Sequence, residues 1–355
     1  MLATVERSAL LAMAASAVLV VLAAVLHVLG VEAIPSFVVC ALALAGIAYV
    51  IGEATDQLGV YLGPAATGLV QSIVGNLPEL FVAIFALRAG LVVVVQTSLI
   101  GSILVNALLV LGLAFVMGGA RHGVLRFEDQ APRMIATLLL LAVCALVLPT
   151  LADELHLPAG AHEQPLAVVC AIVLLLVFAV QTWTVLTHGQ RTVSAKAHRR
   201  DGAWPLLLAA GVLIACGIAA ALVSDWFVDA LQPAMQTLGI NQAFAGLVIV
   251  AIAGNAVENV VGIRLAAEGK ADLALSVVLN GALQVAVALI PILILVSFAI
   301  GGTPFTLVIP PILAAALFLS VLVVTVVTVD GRADVVDGAA LIGLYIIIAT
   351  IFWWG

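Results

Sequence analysis

The chain is a succession of long apolar runs separated by short polar stretches. A helix crossing about 30 Å of hydrocarbon needs about 20 predominantly apolar residues. Runs of that kind fall near residues 8–29, 35–52, 64–88, 92–118, 133–151, 165–187, 204–224, 241–266, 272–300, 304–329 and 338–354. The run from Ser8 to Gly30, after Arg7, is longer than the apolar core of a secretory signal and predicts a membrane anchor. Residues 225–240 are mixed in character and predict an interfacial turn, with the seventh span able to extend into it.

Composition narrows the class. With 65% hydrophobic residues, 9% charged residues and a mean hydropathy of +1.34, the chain cannot cover itself with a water-soluble surface. In lipid every backbone polar group must be satisfied internally, which leaves a helix bundle or a closed barrel, and unbroken apolar runs of this length exclude the barrel. An all-α integral membrane protein of eleven spans is expected. Cys40, Cys144, Cys170 and Cys216 stand singly in apolar runs, the pattern of packing residues and not of a disulfide framework or zinc site. The net charge of -7 contains no long run of one sign, so nucleic acid is not an expected partner.

The basic residues orient the spans. With the N-terminus in the cytoplasm, inside loops and span ends hold Arg7, Arg121, Arg126, Arg133, Arg191, Lys196, Arg199, Arg200, Arg264, Lys270 and Arg332, which is 11 of the 12, and only Arg88 lies outside. The outside loop at 152–165 carries Asp153, Glu154 and Glu163 without a lysine or arginine. The C-terminus is then outside, in a multi-pass protein of the cell membrane.

A motif recurs in spans of opposite direction. Gly75-Asn76-Leu77-Pro78-Glu79 lies in the third span and Gly254-Asn255-Ala256-Val257-Glu258 in the eighth. Ser98, Ser102 and Asn106 are answered by Ser276, Asn280 and Gln284 at an offset within one position of that between the glutamates, each triplet stepping by four to form one polar helix stripe. Pro132 and Pro311, near the starts of spans five and ten, repeat the glutamate offset without change. This predicts an N-terminal helix (1–34), a first inverted repeat of spans two to six (35–187), a basic cytoplasmic linker (188–203) and a second repeat of spans seven to eleven (204–355).

Glu79 and Glu258 alone among the acidic and basic residues fall in the central thirds of predicted spans. A charged side chain there costs roughly 2.5–3.5 kcal/mol on insertion scales. No central lysine or arginine neutralises the pair, so each glutamate is expected to take up a proton or hold a cation. Asn76 precedes Glu79 by three residues and Asn255 precedes Glu258 likewise, sharing a helix face, with Ser72 a turn further back in the first copy. Pro78 brings no N–H and clashes with the Val74 carbonyl, so the third span should break there and free that carbonyl; Gly254 marks a weak point in the eighth. The candidate ligands are therefore Glu79, Glu258, Asn76, Asn255, the Val74 carbonyl, Ser102, Asn106, Asn280 and Gln284. For the serines and Asn280, hydrogen bonding between helices is an equal alternative.

An all-oxygen cage whose two carboxylates balance one divalent ion suits calcium, and suits magnesium, which dehydrates reluctantly, less well. Glu53, Asp56 and Asp225, at predicted span ends, are candidate proton-path or gate residues or simply solvated carboxylates; His27 reads as a boundary residue. No nucleophile with a general base occupies the core, so an enzyme is not expected, and duplication around a midplane site argues against a channel. No cofactor is implied beyond the transported ions. The sequence carries no signal of oligomeric state.

These residues resemble the calcium/cation antiporter superfamily, in its cation/proton exchanger branch. The resemblance is carried by Gly75 to Leu80, by the stretch from Ser98 to Gly112, by Gly254 to Glu258, and by Asp272-Leu273-Ala274-Leu275 leading to Gln284. It implies ten helices in two inverted repeats plus an N-terminal helix, and exchange of cytoplasmic calcium for external protons by alternating access. It further implies that Glu79 and Glu258 carry both cargoes. Three departures stand out: Asn259 where many members have histidine, Asn280-Gly281-Ala282 in place of a Gly-Ser-Ser, and Leu77-Pro78, which has the flavour of sodium/calcium exchangers. Exchange of sodium or potassium with protons, or of sodium with calcium, stays open on the same scaffold. The short linker lacks the acidic helix of some fungal relatives.

Overall fold

The computed structural model describes residues 7–62, 67, 70, 71, 73–127, 130–188, 204–300 and 304–354, with the backbone alone at residues 8, 130, 185–188, 257 and 258. Ser72, the linker beyond residue 188 and much of the front of the third expected span fall outside the described residues.

The described chain is helical apart from its connections and one two-residue ribbon. The helices are α1 (Arg7–Leu29), α2 (Ala33–Leu62), α3 (Leu77–Arg88), α4 (Val92–His122), α5 (Gln130–Glu154), α6 (Glu163–His188), α7 (Leu206–Leu238), α8 (Gln242–Gly254), α9 (Ala256–Ala267), α10 (Ala271–Ile300), α11 (Pro311–Asp330) and α12 (Val335–Trp354). Among the described residues nine of these are long and apolar enough to cross a membrane by themselves, and ten spans result if α8 and α9, bent by 63° at their junction, count as one. The chain is thus a multi-pass helical membrane protein, with nine or ten span candidates among the described residues, which leave out much of the front of the third of the eleven expected spans.

Three boundaries differ from expectation. Helix α2 continues to Leu62, so Glu53 and Asp56 lie inside it and not at its end. Helix α7 continues to Leu238, so residues 225–238 are the extension of the seventh span that the sequence also allowed and not an interfacial turn, and Asp225 sits exposed along its flank. In both cases a helix that has left the hydrocarbon can continue in water until a breaker intervenes, and α7 stops at Gly239, whose φ of +66° a side chain would resist. The tenth span begins at Pro311, because residues 304–310 are not helical. Their backbone is satisfied by side chains instead. Gln96 donates to the Val308 carbonyl at 2.8 Å, Thr150 Oγ1 donates to the Leu307 carbonyl at 2.9 Å and accepts from Ile309 N–H at 3.2 Å, and Ser297 Oγ accepts from Phe305 N–H at 2.9 Å.

The chain forms two compact units. The first takes residues 1–89 and 177–239, the second 90–176 and 240–355, so each draws on both sides of the linker. In the first, α2 packs on α1 and α7, and α3 on α7. Phe37 stacks on Phe227 with ring centres 4.8 Å apart. A side-chain relay at one end of this unit joins Glu53, Gln57, Trp204 and Tyr61. Gln57 Nε2 donates to Glu53 at 3.0 Å, Trp204 N–H donates to Gln57 Oε1 at 3.2 Å, and Tyr61 Oη donates to the Trp204 carbonyl at 2.7 Å.

In the second unit α4 is the most enclosed helix, with α8, α10, α11 and α12 against it. Its crossing with α8 is tight: a Cβ on Gly101 would lie 2.5 Å from the Leu247 carbonyl oxygen, and one on Gly246 would strike Thr97 Oγ1. Small residues permit this approach, as is common where membrane helices pack without a hydrophobic drive. Helices α4 and α10 each widen into a π-turn, Val105–Val110 and Val285–Leu289, whose starts are separated by nearly the same offset as the two motif glutamates. A third π-turn, Ala245–Val250, lies in α8. After α4 the strand β1 (Leu125–Arg126) pairs antiparallel with β2 (Arg332–Ala333), which follows α11, joining two hairpins.

Candidate functional site

Both copies of the duplicated motif interrupt a helix, and they do so in the same way. Asn76 has φ -90° and ψ 5°, and Asn255 has φ -94° and ψ 14°, close to the sparsely populated bridge region. Each asparagine precedes a helix of 12 residues, α3 or α9, in which the glutamate is the third residue. Leu80 N–H donates to the Asn76 carbonyl at 3.0 Å, and Asn259 N–H to that of Asn255, also at 3.0 Å. The sequence foresaw the first break through Pro78, which sits in the opening turn of α3 where a missing N–H costs little. The second break, at a site without proline, has the same backbone.

A helix restarted in this way presents two polarities. The first N–H groups of α3 and α9 have no helical acceptor and form a positive pole, where a carboxylate at the third position is favoured. The last carbonyls of the preceding segment, and the Val74 carbonyl for which Pro78 supplies no N–H, form a negative edge that suits a cation. Glu79 is half-buried in the first turn of α3, with Asn76 and Val74 also half-buried. These three belong to the first compact unit. Glu258 holds the matching backbone position in α9, and its side chain lies outside the described residues.

Within the second unit Ser102, Asn106 and Asn255 form one network. Asn255 is 2% exposed and Asn106 is fully enclosed. Asn106 Nδ2 donates to Asn255 Oδ1 at 2.8 Å and to the Ser102 carbonyl at 3.1 Å, while Asn255 Nδ2 donates to Ser102 Oγ and to the Ala251 carbonyl, both at 2.9 Å. These bonds hold the two amides in fixed orientations. The remaining amide oxygen, Asn106 Oδ1, is buried with no hydrogen-bond partner among the described residues. An unpaired buried carbonyl costs about 1–3 kcal/mol, which a cation or a proton donor can offset. Asn106 lies against Gly281, where an added Cβ would sit 3.6 Å from Nδ2. Asn280 and Gln284 are half-buried on the same helix, α10.

The other candidates are spread more widely. Ser98 is buried and donates to the Val95 carbonyl at 3.1 Å within its own helix. Glu53 belongs to the Trp204 relay, and Asp56 and Asp225 are exposed. His27 stacks on Trp226 at 5.4 Å. Among the described residues no three His, Cys, Asp or Glu side chains gather as a metal cage.

Two features escaped sequence reading. Ser224 on α7 donates to the Pro78 carbonyl at 3.4 Å, bracing the first break from a neighbouring helix, and nothing in the spacing of Ser224 signals it. Asn259, noted only as a departure from the family pattern, has a buried Oδ1 without a partner among the described residues, one turn beyond Asn255.

Known proteins agree with this architecture. The model of the sodium/calcium exchanger protein family matches residues 32–187 and 208–354. A Ca(2+)/H(+) antiporter of Aphanothece halophytica is 32% identical over 349 residues, covering 92% of each chain. The Ca(2+)/H(+) antiporter ChaA of Bacillus subtilis is 30% identical over 330 residues, covering 89% of this chain and 91% of its own. The solved structure of native YfkE superposes with a TM-score of 0.80 at 27% identity, covering 98% of this chain and all of that one. With the broken helices and the paired Gly-Asn-x-x-Glu motifs in place, the chain belongs to the sodium/calcium exchanger protein family, in the cation/proton exchanger branch of the calcium/cation antiporter superfamily.

Proposed function

We propose that this chain is a secondary active antiporter that exchanges calcium for protons by alternating access, with Glu79 and Glu258 carrying either cargo near the bilayer midplane. The observation that bears most weight is the matched pair of breaks: Asn76 and Asn255 share one backbone conformation, and each starts a 12-residue helix with a glutamate in third place. Relatives at 30% and 32% identity across about nine-tenths of the chain, both Ca(2+)/H(+) antiporters by name, support the same reading.

The physical logic is charge balance. Two carboxylates in low dielectric are neutralised by one divalent cation or by protons, and the two occupancies exclude each other. Calcium accepts a flexible shell of six to eight oxygens; the first motif offers a carboxylate, the Asn76 amide and the Val74 carbonyl, and the second unit offers the Asn255 amide and Asn106 Oδ1, with Ser102, Asn280 and Gln284 as further candidates. The two motifs place apolar Leu77, Ala256 and Val257 between asparagine and glutamate, a lean supply of oxygens for several sodium ions. In the proposed orientation, with N-terminus inside and C-terminus outside, calcium leaves the cytoplasm as protons enter. The repeat layout of an N-terminal helix followed by two inverted halves is part of the proposal, supported by π-turns that recur at nearly the offset of the motifs themselves.

The test is flux. Purified protein in liposomes under an imposed pH gradient is followed for calcium, sodium and potassium, with Glu79→Gln and Glu258→Gln alongside. Proton-driven calcium movement lost in both variants is expected; undiminished flux in either removes that glutamate from the cycle.

A further inference from the structure

Away from the ion path, the ribbon of β1 and β2 sets two arginines against each other. The register pairs Arg126 with Arg332 directly, and both lie on the exposed face of the ribbon while Leu125 and Ala333 lie on the buried one. Directly opposed like charges weaken an antiparallel pair. A third arginine joins them: Arg133, exposed near the start of α5, has its Nη2 2.6 Å from where a Cβ on Gly331 would stand, beside Arg332, and Phe127 N–H donates to the Gly331 carbonyl at 3.1 Å.

Among the described residues, no acid neutralises this group. The ion pairs there are those of Glu268 with Arg264 and with Lys270. Asp334 and Asp337, just beyond β2, turn their carboxylates to backbone N–H groups of residues 334, 336 and 337. Asp330 is exposed and pairs with no described cation. Glu128 and Asp129 lie outside the described residues. Three exposed arginines, unpaired among the described residues, therefore gather just beyond α4, just beyond α11 and at the start of α5, at the ends of three helices long and apolar enough to cross a membrane.

We propose that Arg126, Arg133 and Arg332 form a binding site for the phosphate of an anionic phospholipid. Guanidinium forks match phosphate oxygens bidentately, and three basic side chains at the membrane surface add electrostatic attraction to an anionic leaflet. The bound phosphate removes the repulsion across the ribbon and ties α5 to the two hairpins it joins. This goes beyond the transport reading and stands whether or not that reading does.

The experiment compares the full chain in nanodiscs of phosphatidylcholine alone and of phosphatidylcholine with phosphatidylglycerol, by thermal unfolding and by native mass spectrometry of retained lipid. Phosphatidylglycerol is expected to raise the melting temperature and to be retained. The triple variant Arg126→Gln, Arg133→Gln, Arg332→Gln should lose that gain and weaken retention by roughly a hundredfold. Arg264→Gln, basic but already ion-paired, should keep both. The single variant Arg332→Gln guards against misfolding of the triple variant, because its sign should reverse with lipid: more stable than wild type in phosphatidylcholine, less stable with phosphatidylglycerol. Equal retention of phosphatidylglycerol by wild type and triple variant would overturn the site. So would equal stabilisation by inorganic phosphate in phosphatidylcholine discs, which would assign the cluster to a soluble anion.

Discussion

Asn106 and Asn255, distant in sequence, are joined by a 2.8 Å hydrogen bond between side-chain amides that water does not reach. Because Asn255 is also the residue at which the eighth span breaks, the bond couples the middle of α4 to that break. Asn255→Ala strips Asn106 Nδ2 and Ser102 Oγ of a buried partner and should cost about 1–3 kcal/mol of stability. A double-mutant cycle with Asn106→Ala should give a coupling of about 0.5–3 kcal/mol. Additive single effects would mean that the two amides do not act together.

Pro78→Ala supplies an N–H four residues after Val74, allowing that carbonyl to bond within the helix instead of serving as the proposed ligand. Calcium binding to purified protein, read by titration calorimetry, should weaken by roughly 10–100-fold, the range typical of groups that support a metal site. Circular dichroism should be unchanged. Unaltered affinity would place the Val74 carbonyl beyond the ion.

Gly101→Val puts a branched side chain where even a Cβ lies 2.5 Å from the Leu247 carbonyl. Helices α4 and α8 must then separate, and overpacking of this kind costs about 1–3 kcal/mol or more. The expected result is a clearly lower melting temperature in detergent. The exposed Gly211, with no atom near its Cβ position, should accept alanine without loss.

Glu268 tests the opposite case. Its carboxyl is held below the ordinary carboxylate range, first by the hydrogen bond from Lys270 and then by that from Arg264. A depressed folded value means that its contribution is present above the unfolded value and is lost as pH falls through the folded one, in acid below about pH 4.3. The group is exposed and solvent screens it. Glu268→Gln should leave the melting temperature at pH 7 within error of wild type, and a marked fall would show that the bridge locks the turn between α9 and α10.

Most spans were legible because hydrocarbon admits few polar residues, and the two helix breaks because Gly-Asn-x-x-Glu recurs at them. Helix ends were not. Charges at Glu53, Asp56 and Asp225 look like the end of a span to a reader of hydropathy, yet a helix stops where its backbone is interrupted, as at Gly239. Residues 304–310 are apolar enough to pass for membrane helix, but Pro304, Pro310 and Pro311 disfavour it and distant Gln96 and Thr150 supply the missing hydrogen bonds. Likewise the candidates Ser102, Asn106 and Asn255 were visible as a stripe and a motif. That they bond one another, leaving Asn106 Oδ1 over, depends on how α4 and α8 cross.

The division of the chain also bears on how it is made. Helices α1 to α3 find their packing partner in α7, which the ribosome supplies only after residues 90–176 have been threaded into the bilayer. A nascent chain can pack α1 on α2 at once, whereas α3, with its half-buried Glu79, waits for α7. An agent that shelters a polar transmembrane segment during biogenesis would be felt first by α3.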